Sequence, residues 1–213
     1  MPLSVLFYHG WGFNASFWEP LCSLLPEYAH QCDDAGYFGT PSSPEPTAPY
    51  IAVTHSFGTM RFLATPPPGM VGLVVISGFD RFTETEGFPG TSHRVVNRMI
   101  SALAQAPETV LSDFHKLFDS TVPQGTPIAA RLQADLECMR DGDLRDAAVN
   151  LAVPILSLQA QKDTLLPMSL RETVFAAVGG VMRHTHPSAG HLLPRDDAPW
   201  CANTIRHFAS TLG

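Results

Sequence analysis

Residues 51–60 read IAVTHSFGTM: a β-rich apolar run, a turn at Ser56 and the start of a helical pattern. A sharp strand-to-helix turn pushes a serine hydroxyl out at the carboxyl end of the strand, where it is placed as a nucleophile. Small residues on both sides let such a turn close. Gly58 fits this requirement, but Thr54 stands where the pattern G-x-S-x-G has its first glycine. Taken alone, residues 51–60 also fit an ordinary strand–helix turn, so Ser56 is a candidate nucleophile that needs support from the rest of the chain.

Short apolar runs and helical patterns alternate around this turn. Runs typical of buried strands occupy 3–8, 50–53, 71–77 and 154–159, with a weaker one at 181–186; helical patterns occupy 17–25 and 169–178. This alternation favours an α/β fold, a mostly parallel sheet with helices on its faces. A chain of 213 residues fits one domain, so we predict a single domain over 1–213.

The strand signals stop between residues 78 and 150. Three helical patterns fill this stretch, at 94–104, 108–118 and 129–140. A helical cap inserted between two strands of the sheet is the simplest account. Residues 39–49 carry four of the 19 prolines and are predicted to form a loop.

Three further segments carry residue types that serve a nucleophilic serine. The first predicted strand ends in Tyr8-His9-Gly10-Trp11-Gly12, and a glycine-containing loop of this kind can offer a backbone N–H to an oxyanion. Trp11 and Phe57 are the expected donors, although two glycines also suit a plain strand-end turn. Asp163 follows the strand at 154–159 and could orient a histidine or cap a helix. His191 follows Gly190 after the last strand pattern, and a histidine in a loop is often simply solvated.

Their conjunction favours catalysis. The carboxyl ends of parallel strands meet at one edge of the sheet, and Ser56, Asp163 and His191 each follow a predicted strand. In this order and at these motifs the chain resembles the α/β-hydrolase family. More narrowly, it resembles the pimeloyl-acyl-carrier-protein methyl ester esterases of biotin synthesis. That likeness rests on HGWGFNASFW (9–18), DAGYFG (34–39) and DLR (143–145) leading to VP (153–154).

The resemblance implies an α/β-hydrolase fold and a serine carboxylesterase. The family's nucleophile falls on Ser56, its acid on Asp163, its base on His191 and its oxyanion donors on Trp11 and Phe57. An aromatic-led cap segment that touches the acyl chain in that family matches Phe114 to Phe118, and Trp11 is expected to contact substrate as well. The chain departs from the family in lacking an opening β-hairpin, in Thr54, and in the proline-rich loop that replaces a helix. A reduced sheet, less covered on one face, is expected.

Substrate choice belongs to the cap. Its charges from 78 to 150 come to 7 basic against 11 acidic, so no generally basic face is offered to an acidic carrier protein. Arg94 and Arg98, one helical turn apart, could form a local basic patch or simply lie solvated. The substrate is expected to be a small-molecule or acyl-carrier-protein-bound ester. A general short-acyl esterase or thioesterase, and a catalytically inactive binding protein of this fold, remain alternatives.

Composition excludes several other classes. The net charge of −7 argues against nucleic acid as a partner, and no apolar run is long enough for a membrane span. Four scattered cysteines without a CxxC pair argue against a zinc knuckle or a disulfide scaffold, so we expect a cytoplasmic protein with free thiols. His184 and His186 share one face of a strand but lack further ligands nearby, so no metal is expected. No cofactor is implied and no oligomeric state is predicted.

Overall fold

A six-stranded parallel sheet forms the centre of the protein. The computed structural model describes residues 3–46 and 49–212. Its strands are β1 (Ser4–Tyr8), β2 (Ala29–Asp33), β3 (Tyr50–His55), β4 (Met70–Ile76), β5 (Ile155–Ala160) and β6 (Met182–His186). All five strand pairings are parallel, in the order β2-β1-β3-β4-β5-β6. The predicted parallel α/β sheet is confirmed.

Helices cover both faces of this sheet. A short 3-10 turn (Ala15–Trp18) precedes α1 (Glu19–Ser23), and the other helices are α2 (Gly58–Ala64), α3 (His93–Leu103), α4 (Pro107–Lys116), α5 (Ala129–Asp141), α6 (Arg145–Val149), α7 (Met168–Thr173), α8 (Leu193–Asp196) and α9 (Ala198–Ser210). Alternate residues of each strand face opposite sides. Val5 and Phe7 of β1 therefore pack in the core with α1, α8 and α9, while Leu6 and Tyr8 pack in a second core with α2 and the helices that follow β4.

The edge strand β2 was not predicted from the sequence. It reads AHQCD, and only its last residue is buried. An edge strand that is half exposed has no need of an apolar run, so hydrophobic periodicity gives no signal for it. The pattern over 17–25 predicts one helix, whereas the structure divides it into the 3-10 turn and α1. α7 ends five residues before the predicted end at 178.

Four helices, α3 to α6, occupy the chain between β4 and β5. The three predicted helices of this stretch lie within two residues of α3, α4 and α5 at both ends. α3 starts where the Ser92 side chain accepts a hydrogen bond from the Arg94 backbone N–H, and α4 starts at Pro107, a residue suited to a first helical position.

A loop joins β2 to β3, as the proline-rich sequence of residues 39–49 predicts, at a place where the related family has a helix. Among its described residues, 34–46 and 49, no helix forms; Thr47 and Ala48 lie outside the described residues. Proline lacks a backbone N–H and so opposes helix formation here. A cleft of about 1050 Å³ opens beside this loop, between α2 and the end of α5. Within residues 3–46 and 49–212, no helix is long and apolar enough to cross a membrane.

Candidate active site

The turn between β3 and α2 holds Ser56 in a left-handed backbone conformation, with φ +53°. Such a φ is uncommon for a residue with a side chain and marks a locally strained position. The Ser56 backbone N–H donates to the Ile76 carbonyl at 3.1 Å, which ties the turn to β4. Gly58 is required by space: a Cβ there would lie 2.4 Å from the Tyr8 carbonyl oxygen. The turn thus lifts the Ser56 hydroxyl above the carboxyl edge of the sheet.

Thr54 is accommodated at the position where glycine was expected. Its buried hydroxyl lies 2.8 Å from the hydroxyl of Thr59, in the first turn of α2. Room for this pair comes from Gly78, where a Cβ would lie 2.0 Å from Thr59 Oγ1. Gly78, which follows β4, therefore provides the space that the two threonine side chains need where Thr54 takes the place of glycine.

Ser56, His191 and Asp163 form a continuous hydrogen-bonded chain. His191 Nε2 lies 3.0 Å from Ser56 Oγ, and His191 Nδ1 lies 2.8 Å from Asp163 Oδ2. The other carboxylate oxygen, Asp163 Oδ1, accepts from the backbone N–H groups of Leu165 and Leu166 at 2.8 and 2.9 Å. The side chains of Ser56, His191 and Asp163 are all buried. The sequence placed them on three separate strand ends, and the structure brings them together.

The charge on Asp163 fixes the tautomer of His191. Burial alone would raise the Asp163 pKa, but His191 and the two backbone N–H groups outweigh it, so the pKa lies below its ordinary value. An ionised carboxylate only accepts hydrogen bonds, so the network assigns the imidazole proton to Nδ1. His191 Nε2 is then free to accept the Ser56 hydroxyl proton.

The loop that carries His191 is held by a second histidine. His186 Nδ1 accepts from the backbone N–H groups of Ser188 and Ala189, at 3.3 and 2.9 Å, and His186 Nε2 lies 3.2 Å from Asp197 Oδ2. Because Nδ1 is an acceptor, Nε2 carries the proton and donates to Asp197. This role of His186 could not be predicted from the sequence, because it depends on loop contacts rather than on strand periodicity.

Two aromatic side chains flank the His191 ring. Phe118 stacks on it with ring centroids 5.3 Å apart, and the His55 ring lies beside it at a tilt of 55°, with centroids 5.0 Å apart. Burial, with a contribution from the nearby His191, lowers the His55 pKa to about 3. His55 is therefore neutral around pH 7 and adds no charge beside the triad.

The loop with the predicted oxyanion donors runs directly against the serine. A Cβ on Gly10 would lie 3.1 Å from Ser56 Cβ, so only glycine lets the loop approach this closely. Trp11 is buried, and its indole Nε1 donates to the Leu132 carbonyl at 2.9 Å. Phe57 lies at the N-terminus of α2, where backbone N–H groups have no partner within the helix. Trp11 and Phe57 thus lie on the two segments that adjoin Ser56.

An apolar cavity of about 380 Å³ opens onto Ser56. Helices α3, α4 and α5 supply most of its wall. Of the residues proposed to contact substrate, Trp11, Phe114 and Arg98 line the cavity. Phe118 is outside the lining and stacks on His191, and Arg94 is an exposed residue of α3 that is also outside the lining. Val95 and Leu117 line the cavity and are also exposed, so it opens to solvent between α3 and α4.

The described part of the chain holds no group of three or more His, Cys, Asp or Glu side chains that could bind a metal ion. His184 and His186, which share a face of β6, differ in environment: His184 is exposed and His186 is engaged with its own loop.

Curated relatives of this chain are named as esterases, and solved structures share its fold. The fold and the curated relatives together define the class: the chain is an ester hydrolase with the α/β-hydrolase fold. It is 25% identical to a pimeloyl-[acyl-carrier protein] methyl ester esterase of Serratia marcescens, over 79% of each chain. It is 27% identical to the protein of that name from Salmonella heidelberg (strain SL476), over 76% of each chain. These relatives confirm the resemblance on which the sequence interpretation relied.

Solved structures show the same fold at lower sequence identity. An esterase from Exiguobacterium antarcticum superposes with a TM-score of 0.82 at 17% identity, covering 98% of this chain and 92% of that one. A bromoperoxidase from Bacillus anthracis gives a TM-score of 0.80 at 16% identity, covering 99% and 92%. No protein-family model matches the chain.

Proposed function

We propose that Ser56 is the nucleophile of a serine carboxylesterase, with His191 as general base and Asp163 as the residue that orients it. The observation that carries this proposal is the pair of short contacts made by His191, 3.0 Å to Ser56 Oγ and 2.8 Å to Asp163 Oδ2. A positioned base within hydrogen-bond reach is what an otherwise weak hydroxyl nucleophile requires.

The reaction proceeds in two halves. Ser56 Oγ attacks the ester carbonyl carbon while its proton passes to His191 Nε2. The backbone N–H groups of Trp11 and Phe57 donate to the oxyanion of the tetrahedral intermediate, and the imidazolium is stabilised by Asp163. As the alcohol leaves it takes the proton from His191, which leaves an acyl group on Ser56. Water then attacks this acyl-enzyme with His191 again as base, releasing the carboxylic acid and restoring the serine.

The substrate proposed is the methyl ester of pimeloyl-acyl-carrier-protein. The names of the relatives at 25–27% identity support this choice, and so does an apolar cavity suited to a straight acyl chain. The cavity opens between α3 and α4, and Arg98 lies in its lining. An acidic carrier protein that delivers the chain would approach at this opening, next to Arg98 and to Arg94 one turn away.

The test compares two substrates with the same ester. Hydrolysis of pimeloyl-acyl-carrier-protein methyl ester is measured beside that of the free monomethyl ester, in the wild type, in Ser56→Ala and in Arg94→Glu/Arg98→Glu. We expect Ser56→Ala to lose both activities and the arginine variant to lose activity only on the carrier-bound substrate. An arginine variant that hydrolyses the carrier-bound substrate as fast as the wild type does would dismiss the basic patch. Undiminished turnover in Ser56→Ala would refute the nucleophile.

A genetic test addresses the pathway. A biotin-requiring strain that lacks its own esterase should grow without biotin when it expresses this chain, and not when it expresses Ser56→Ala. Growth failure together with rapid cleavage of short simple esters would favour the general esterase or thioesterase instead.

A further inference from the structure

His115 links the cap to the oxyanion loop, defined here as residues 10–12. It lies in the last turn of α4 with its side chain fully buried. Its ring Nε2 is 2.9 Å from the carbonyl oxygen of Gly12, a contact that spans 103 residues of sequence. Its ring Nδ1 is 2.9 Å from the hydroxyl oxygen of Ser120. Both ring nitrogens are therefore engaged.

These partners fix the direction of each hydrogen bond. A carbonyl oxygen can only accept, so Nε2 carries the proton and donates to Gly12. Nδ1 of the neutral ring then accepts from the Ser120 hydroxyl. Burial holds the His115 pKa below its ordinary value, in keeping with a neutral ring of fixed tautomer at pH 7.

The glycines of the oxyanion loop give it little conformational preference of its own, so contacts with neighbouring residues determine its conformation. Gly10 and Gly12 flank Trp11, and Gly12 adopts φ +75°, a region that glycine enters without steric cost. Two glycines give the loop many alternative conformations of similar energy. The one that aims the Trp11 N–H at the ester must be selected by the surrounding structure.

The Gly10 carbonyl accepts locally from the Phe13 N–H, and two cap helices hold the Trp11 and Gly12 end of the loop. His115 of α4 donates to the Gly12 carbonyl, and the Leu132 carbonyl of α5 accepts from the Trp11 indole N–H at 2.9 Å. Phe114, next to His115, meets the Trp11 ring edge-on with centroids 4.9 Å apart. The oxyanion loop is thus held at a backbone carbonyl and at a side chain by the same helices that line the acyl cavity.

We propose that His115 is a positioning residue for the oxyanion donor at Trp11, and that through it the cap takes part in catalysis as well as in substrate binding. This inference rests on the proposed function, because it presumes that Trp11 donates to the oxyanion. An oxyanion donor acts on the transition state more than on the bound ester, so losing its position lowers kcat rather than raising KM.

The experiment uses three variants of the full chain. His115→Phe keeps a ring of similar size but cannot donate to Gly12, whereas His115→Gln keeps an N–H donor. Lys116→Ala is the matched control, because Lys116 is the next residue of α4 and its side chain is 71% exposed. Each variant is assayed for kcat and KM on a p-nitrophenyl ester and for inhibition by a trifluoromethyl ketone, which forms a tetrahedral adduct with the active serine.

We expect His115→Phe to lower kcat by about tenfold or more, the scale on which small misplacements of catalytic groups act. Its KM should change less than threefold, and its affinity for the trifluoromethyl ketone should fall by about the same factor as kcat/KM. His115→Gln should recover a large part of both losses, and Lys116→Ala should match the wild type. If His115→Phe does not fold, His115→Leu takes its place.

Wild-type kcat and ketone affinity in the folded Phe or Leu variant would overturn the inference. So would a loss that appears only in KM, which is the pattern of a damaged acyl cavity. The Ser56→Ala variant distinguishes failure of the positioning role of His115 from failure of the proposed esterase function. If Ser56→Ala is inactive while His115→Phe is normal, the nucleophile stands and only the positioning role falls.

Discussion

His55 Nε2 donates to the backbone carbonyl of His191, with the two atoms 3.0 Å apart. The residue before the proposed nucleophile is thereby joined to the residue that carries the proposed base. The bond locks the end of β3 to the loop that follows β6, across 136 residues of sequence. The bond also keeps the His55 ring buried, where it resists protonation. Acidification therefore lowers the free energy of unfolding.

The stability of the protein should fall on acidification in a way that His55 controls. Its folded-state pKa is about 3, against 6.5 for an ordinary histidine. Above pH 6.5 neither state holds the proton, so His55 makes no pH-dependent contribution. Between pH 6.5 and 3 only the unfolded state binds it, and the free energy of unfolding decreases; at pH 5 the expected loss is about 2 kcal/mol.

Urea denaturation at pH 7 and pH 5 measures this effect when the wild type is compared with His55→Gln. Glutamine keeps an amide donor but does not titrate, so the variant should lose about 2 kcal/mol less than the wild type between these two pH values. Losses common to both proteins, such as protonation of Asp163, cancel in the comparison. Identical pH slopes would show that His55 is not held neutral.

The Thr54 and Thr59 hydroxyl pair should contribute measurably to stability. Thr54→Val preserves the shape of the side chain but leaves the buried Thr59 hydroxyl without its 2.8 Å partner. A buried polar group stripped of its partner typically costs about 1–3 kcal/mol. Urea denaturation should show this loss, and Thr54→Ser, which keeps the hydroxyl, should lose less. A valine variant as stable as the wild type would show that the hydroxyl pair does not contribute to the free energy of unfolding.

Asp163→Asn should abolish most turnover without disturbing the fold. Asparagine Oδ1 still accepts from the Leu165 and Leu166 N–H groups, but its amide donates to His191 Nδ1 and selects the wrong tautomer. In serine hydrolases with this arrangement the equivalent change lowers kcat by about 10⁴. Steady-state kinetics on a p-nitrophenyl ester measure it, with the exposed Asp146→Asn as control. A decrease of less than tenfold would argue against the assigned role of Asp163.

Narrowing the cavity should select against long acyl chains. Val110 lines the cavity from α4 and is half-buried, so Val110→Phe adds bulk in the path of the chain. We expect the KM for p-nitrophenyl octanoate to rise about tenfold, the scale of one or two misplaced methylenes, with little change for the butyrate. Val149→Phe, at an exposed site outside the cavity, serves as control. An equal effect on both esters would place the acyl chain elsewhere.

The sequence predicted the parallel sheet and the meeting of Ser56, Asp163 and His191 for one physical reason. Parallel strands place their carboxyl ends at a shared edge, so residues that follow buried apolar runs become neighbours whatever their separation along the chain. The same reasoning could not predict β2, because its five residues contain no apolar run.

The supporting contacts could not be derived in this way. His55, His115 and His186 each act through backbone groups of loops, and the partner of His115 lies 103 residues away. Such pairings follow from the packing of loops and cap helices, which leaves no periodic trace in the sequence. Phe118 shows the same limit: its stacking on the ring of His191 was not predicted from the sequence.

The proposed nucleophile can be tested most directly by covalent labelling. The purified protein is treated with a fluorophosphonate, digested, and analysed by mass spectrometry, alongside Ser56→Ala and protein unfolded in urea before labelling. We predict one adduct per molecule, located on Ser56, formed in step with the loss of esterase activity and absent from both controls. Full inhibition with the adduct on another residue, or an active protein that Ser56 labelling leaves uninhibited, would contradict the assignment.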